Sequence, residues 1–288
     1  MFLGLRVIRI WPALLVEIVL SAFILGPLLT EFSTAQYFSD PLFFRYFINI
    51  LGEPQYFLPG LFLNNPAKGY VNYQLWTIPF ELGCYIAISA IGVIGARKRH
   101  FLAPLSAAVL MTIYVAYRIH AGQPAVPAVT RPVAGPLLVI AFLLGVTAYF
   151  YRSRIPANPL LNAAILIFSI ILLSNPVGQI PALVGLTYVT VYVGTLNPTR
   201  MFITKGADYS YGLYLYGFPI QQALVDVTTL GLNPVLNAVT TLVIAGIFAG
   251  FSWTYVEKPA LKLRTFLKMG EERILSWRGK TASRLTAG

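Results

Sequence analysis

The 288-residue chain is 57% hydrophobic and 11% charged, with a mean hydropathy of +0.71, a balance that excludes an ordinary water-soluble domain of this length. Its 21 lysines and arginines against 10 acidic residues give a net charge of +11, but the basic residues gather beside apolar segments, which excludes a nucleic-acid patch as their cause. A single cysteine excludes an intrachain disulfide framework, and the sequence holds no Walker loop, dinucleotide glycine pattern or metal-ligand cluster.

A membrane span needs about 20 mostly apolar residues, and eight segments qualify in chain order. The first, 9–29, is entered through Arg6-Val7-Ile8-Arg9-Ile10-Trp11-Pro12. Arg6 and Arg9, spaced i and i+3, share one helix face; they suit phosphates arriving from the cytosol, or equally snorkelling and topology control. Glu17 lies roughly 12 Å inside this segment at 1.5 Å per residue, and an intramembrane carboxylate is a functional candidate.

An outer segment then runs from Thr30 to Tyr73. Its stretch Pro41 to Leu51 is apolar but too short to span, as expected of a helix at the membrane interface. The second span, 74–95, follows the string Asn72-Tyr73-Gln74-Leu75-Trp76-Thr77-Ile78-Pro79-Phe80-Glu81. Glu81 falls roughly 10 Å from its outer start, placed to orient a hydroxyl, accept a proton or join two helices structurally. Trp76 sits near a helix end, where an aromatic belt would also put it, and Cys84 reads as buried filler.

The remaining spans are 102–118, 134–151, 158–174, 179–195, 209–228 and 234–256, with a proline-rich outer loop at His120 to Pro132. In the seventh, Tyr211, Tyr214 and Phe218 share a face beside Ser210, a stripe that suits packing or a pore lining alike. The segment 257–288 mixes basic residues with Leu261, Phe266, Ile274 and Trp277, in the manner of an inner-leaflet interfacial helix. Both histidines, His100 and His120, fall in loops, so neither stands at mid-membrane as a general base.

With both termini cytoplasmic, about 17 of the 21 basic residues lie on the inner side, leaving Arg45, Lys68, Arg118 and Arg131 outside. The expected architecture is an all-α, polytopic integral membrane bundle of eight helices. Residues 1–256 form the transmembrane domain and 257–288 a basic cytoplasmic tail.

Four landmarks in order resemble the type 3 membrane acyltransferase family: Arg6 to Pro12; Leu75-Trp76-Thr77 through Glu81 to Tyr85; Ser210-Tyr211-Gly212-Leu213-Tyr214-Leu215; and Val256-Glu257-Lys258-Pro259. The resemblance covers nearly the whole chain, but family members are similar to it only from their third helix onward. Two helices are therefore expected to be absent, the first bearing the family's arginine and proposed catalytic histidine, the second a Gly-Val-x-x-Phe-Phe signature. Gly217 is a second departure, since many relatives have histidine there.

The resemblance implies an O-acyltransferase of the bacterial inner membrane. Acyl-CoA, most often acetyl-CoA, is the donor substrate and a glycan or lipid-linked sugar outside is the acceptor, with no bound cofactor and no metal. It implies donor binding by Arg6 and Arg9, a catalytic Glu81, and an acceptor or pore lining of Trp76, Tyr85, Ser210, Tyr211 and Tyr214. Without the histidine-bearing helix, residues 1–288 alone are expected to show little or no transfer. Two rival readings are a proton-coupled transporter using Glu17 and Glu81, disfavoured by the lack of internal repeats, and a non-catalytic remnant that binds export machinery.

Overall fold

The computed structural model describes residues 2–94, 99–124, 134–156, 158–175, 178–196, 207–228, 233–267 and 269. Every described element is helical, and no strand occurs among the described residues. The elements are α1 (Phe2–Leu20), α2 (Gly26–Leu29), α3 (Thr34–Ser39), α4 (Pro41–Tyr46), α5 (Ile78–Val93), α6 (Leu102–His120), α7 (Gly135–Phe150), α8 (Pro159–Leu173), α9 (Gln179–Thr195), α10 (Ser210–Val227), α11 (Pro234–Ser252) and α12 (Lys258–Leu261). Each of the eight expected apolar segments coincides with a helix. Among the described residues, four helical stretches are long and apolar enough to cross a membrane: Phe2–Leu29, Tyr73–Val93, Leu102–His120 and Pro234–Leu267. The other four, α7 to α10, are 15 to 18 residues long. The loop cations Arg97, Lys98, Arg131, Arg200 and Lys205, and the tail beyond 270 with Ile274 and Trp277, lie outside the described residues.

Local sequence sets several helix starts. Asp40, Asn158 and Asn233 each place a side-chain oxygen on the first free N–H groups of the following helix, and each is followed by proline at the first helical position; both features favour initiation there. Proline also explains two π turns. Ser21–Leu25 widens to i→i−5 bonding, with the Gly26 N–H on the Ser21 carbonyl, immediately before Pro27. Trp253–Glu257 does the same immediately before Pro259. The wider turn relieves the clash between a proline ring and the carbonyl four residues back. In that register Pro27 has no N–H for the Ala22 carbonyl, and the Tyr37 hydroxyl donates to it instead at 2.8 Å.

The helix therefore does not end at residue 256 as expected: α11 continues through its π turn into α12, and Glu257 is buried. The expected interfacial stretch Pro41–Leu51 is helical, but it does not simply lie on a membrane surface. Phe43 and Tyr46 are buried, and Phe43 packs edge-on against Phe23 of the π turn at 5.5 Å between centroids. Tyr37 seats against Gly26, where a Cβ would fall 1.8 Å from the phenol oxygen.

The chain divides into two compact units. Unit 1 is Met1–Pro79 with Arg200–Gly288, and unit 2 is Phe80–Thr199. In unit 1, α1 packs on α10 and α10 on α11, over a core that includes Leu14, Ile18, Leu75 and Leu215. Gly212 lets α10 and α11 approach backbone to backbone: a Cβ there would lie 2.7 Å from the Ala249 Cα. Unit 2 is built from α6 on α7, α7 on α9 and α8 on α9, with buried Ile91, Ala107 and Leu143 at one level and Tyr114, Leu137 and Ile140 at another.

Candidate functional site

The polar residues of unit 1 fall into two clusters joined by a row of side chains. At the entry of α1, the Arg9 guanidinium donates to the Asp208 carboxylate in an ion pair whose side chains are 39% and 40% exposed. Such half-exposed pairs contribute at most about 1 kcal/mol. Asp208 Oδ1 also accepts from the Ser210 hydroxyl at 2.5 Å and the Ser210 N–H at 3.3 Å. Burial pushes the Asp208 carboxyl upward, but the Ser210 hydroxyl, the Arg9 charge and the backbone bond outweigh it, holding the group below its usual 3.8. Since the folded value is the lower one, the pair's stabilisation is present above about pH 3.8 and is lost as the pH falls through the depressed value.

Arg9 is thus not an uncommitted cation: one of its guanidinium nitrogens is already engaged by Asp208. Arg6 stands nearly one turn earlier, its guanidinium carbon 5.1 Å from the Phe2 ring centroid. Glu257 of the fourth landmark accepts from the Ser252 hydroxyl at 2.9 Å, and the charges of Asp208 and Arg9 reach it.

Along α10 the row continues inward. The Tyr211 hydroxyl donates to the Ile10 carbonyl at 3.2 Å, and the Tyr211 and Tyr214 rings stack at 6.0 Å and 18°. The Tyr214 hydroxyl donates to the Gln74 carbonyl at 2.8 Å and lies 2.9 Å from Thr77 Oγ1. The Gln74 amide then donates to Asn72 Oδ1 at 3.1 Å and to the Leu215 carbonyl at 2.8 Å. Gln74 Oε1 is buried without a hydrogen-bond partner among the described residues.

The row ends at Glu17, which is 1% exposed. Ser21 Oγ donates to its Oε1 at 2.6 Å, while Asn72 Nδ2 reaches Oε1 at 2.9 Å and Oε2 at 3.1 Å and also touches the Tyr46 hydroxyl. Both partners, Ser21 and Asn72, donate, so each carboxyl oxygen accepts at least one hydrogen bond, although no cation pairs with the group among the described residues. Holding such a group in an apolar setting needs all of these donors, because each lost bond leaves a buried polar atom unsatisfied.

The sequence-predicted residues Arg9, Ser210, Tyr211 and Tyr214 therefore meet on one row of unit 1, and Trp76 sits partly buried in the 3-10 turn Tyr73–Thr77. Glu81 and Tyr85 belong to unit 2, one turn apart on α5, with the Tyr85 hydroxyl donating to the Glu81 carboxylate. The α-helix begins only at Ile78, which puts Glu81 in its first turn, where the N-terminal N–H groups favour negative charge. His100 precedes α6 and His120 is its last residue, so neither lies within a helix interior. A side chain at Gly217 would meet nothing within 4 Å.

Sequence reasoning missed Asn72, Gln74, Tyr46 and Asp208 and underrated Glu17. Asn72 opens one of the strings singled out above and Asp208 stands two residues before another, Ser210 to Leu215; a polar residue at the edge of an apolar run was the available signal.

The chain is similar to an O-acetyl transferase. That protein, from Shigella phage Sf6, is 27% identical over 276 residues, covering 89% of this chain and 76% of the relative. No family model and no solved structure matches the chain. The likeness supports acetyl transfer as the class of activity, and the apolar helices support a membrane protein.

Proposed function

We propose that the chain is an O-acetyltransferase of a bacterial inner membrane, belonging to the type 3 membrane acyltransferases. It moves an acyl group, acetyl first among them, from cytosolic acyl-CoA to a hydroxyl of an extracytoplasmic glycan. The observation that carries this reading is the polar row from Arg9 to Glu17, set in a chain similar to an O-acetyl transferase.

In this reading Arg6 and Arg9 receive the donor's phosphates, Arg9 exchanging the Asp208 carboxylate for them. Ser210, Tyr211 and Tyr214 line the way inward, and Trp76 faces the acceptor. Glu81, held by Tyr85, orients the attacking hydroxyl. The thioester C–S bond breaks, an ester C–O bond forms, and the hydroxyl proton passes through a base to the departing thiolate. His100 precedes α6 and His120 ends it, and on this reading acyl transfer by residues 1–288 alone is expected to be slight.

Acetyl-CoA binding to the full chain in nanodiscs tests the donor site independently of turnover. Arg9→Ala is expected to weaken binding about tenfold or more, since a charge-assisted hydrogen bond contributes about 1.5 to 3 kcal/mol. Asp208→Asn, which releases Arg9, is expected to tighten it. Binding unmoved by either substitution would remove the donor assignment, and proton-coupled uptake into vesicles abolished by Glu81→Gln would favour a transporter instead.

A further inference from the structure

The segment between α1 and α5 forms a pocket of about 160 Å³ in unit 1 to which the acyl-transfer reading gives no role. Arg45, Tyr46, Gln55, Tyr56 and Phe57 make most of its wall. Asn49 fixes its shape from behind. The Asn49 amide donates to the Tyr46 and Gln55 carbonyls at 2.8 Å each, and its Oδ1 accepts the Gln55 N–H at 2.7 Å. Asn49 is 2% exposed, so two parts of the wall are tied together through a buried side chain, and the pocket is built before any ligand arrives.

The polar groups of this wall are uncommitted. The Arg45 side chain is exposed and makes no ion pair or hydrogen bond among the described residues. Neither Asp40 nor Glu53, the acids nearest to it along the chain, lines the pocket, and Asp40 Oδ1 is taken by the Leu42 N–H at 2.8 Å. The Gln55 side-chain amide also has no partner among the described residues. A guanidinium presents its donors as a planar fork that matches a carboxylate, and here it stands in a pocket wall with no acid to fill it.

The aromatic part of the wall leads toward Trp76. The Tyr56 ring lies 5.9 Å from Tyr70 and 5.6 Å from Tyr73 between centroids, the Phe57 ring lies 5.0 Å from Tyr70, and Tyr73 opens the 3-10 turn that carries Trp76. Tyr46 reaches the other way, its hydroxyl meeting the Asn72 amide beside Glu17. A volume of 160 Å³ falls below the roughly 300 Å³ at which sites for drug-sized ligands begin. It suits one sugar ring and is too small for a coenzyme or for lipid chains.

We propose that this pocket is an anchoring subsite for the acceptor and takes one hexuronate residue of an acidic glycan, its carboxylate on Arg45 and its ring against Tyr56 and Phe57. The proposal deepens the acyltransferase reading, from which it takes the outward placement of residues 30–73.

The test is calorimetric titration of the full chain in phosphatidylcholine nanodiscs with a disaccharide ending in glucuronate, and with the same disaccharide reduced at the carboxyl to glucose. The wild type is expected to bind the glucuronate form about tenfold more tightly, as one charge-assisted contact allows. Arg45→Gln is expected to bring the two sugars to one affinity, and Arg45→Lys, which keeps the charge but not the fork, to restore part of the difference. Phe57→Ala is expected to weaken both sugars alike. Arg45 and Phe57 are exposed, and circular dichroism verifies that the variants fold. Equal affinities in the wild type overturn the proposal, as does a preference that survives Arg45→Gln. Tighter binding of glycerol 3-phosphate than of the glucuronate sugar would make the pocket a lipid-headgroup site and overturns it too. Acetyl-CoA binding to the wild type in the same nanodiscs separates the two readings. Binding of acetyl-CoA without the acid preference refutes this inference alone, whereas the acid preference without acetyl-CoA binding leaves the pocket and removes the donor site.

Discussion

Gly212→Val is expected to destabilise the chain by about 3 kcal/mol, because α10 and α11 meet where this residue has no side chain. Even a lone Cβ at 212 would lie 2.7 Å from the Ala249 Cα and 2.8 Å from its Cβ, and the first of these is backbone that cannot rotate away. Overpacking of a tight interface costs about 1 to 3 kcal/mol, and more where no side chain can yield. The control is Gly217 on the same helix, whose Cβ direction is open to 4 Å. There glycine to alanine should follow helix propensity alone and stabilise by up to about 1 kcal/mol, while Gly212→Ala goes the other way. Thermal unfolding of the solubilised chain decides it, and equal shifts for the two alanine variants would show that the helices do not approach as described. Gly212 stands in the third landmark, Ser210 to Leu215, and its part there is to let α10 reach α11.

Asn72→Ala is the second large effect. Asn72 is fully buried, and its amide bridges both oxygens of Glu17, the Tyr46 hydroxyl and the Gln74 amide. Truncation leaves the Glu17 carboxyl with Ser21 as its remaining side-chain partner, and stranding a buried charged or polar group costs about 3 to 5 kcal/mol when the group was fully compensated before. We expect a loss of about 3 kcal/mol, and Glu17→Gln in the Asn72→Ala background to recover part of it, because an amide is less costly to leave underbonded than a carboxylate. A double-mutant cycle on unfolding midpoints measures the coupling. Additive effects would mean that the two side chains do not share the bonds described.

Both predictions concern residues that the linear pattern ranks low. Glycine is nearly neutral in hydropathy and an asparagine at the edge of an apolar run reads as a boundary, so their importance comes from partners far along the chain: 37 positions separate Gly212 from Ala249, and 55 separate Glu17 from Asn72. Arg9 and Asp208 are 199 positions apart. By contrast Glu81, the acid that stood out most in the string, pairs one turn away with Tyr85, a contact readable from i, i+4 spacing. The second landmark, Leu75 to Tyr85, looks continuous, yet it passes from unit 1 to unit 2 at Pro79.

The positions of the helices were legible residue by residue, because helix formation in an apolar chain depends on local quantities. Apolar length placed each of the eight segments, Asn158 and Asn233 with the prolines after them set the starts of α8 and α11, and Pro27 and Pro259 explain the π turns once the helices are seen to run through them. The membership of the polar row was not legible. Whether Glu17 faces Asn72 or lipid depends on the rotation of α1 about its axis and on how the outer segment folds back over it. A helical repeat of 3.6 residues says which side chains share a face, not what that face meets. Packing of α1 against α10, and of Tyr37 against Ala22 and Gly26 just beyond α1, selected one rotation, and that selection brought Ser21, Asn72 and Tyr46 around a single buried carboxyl.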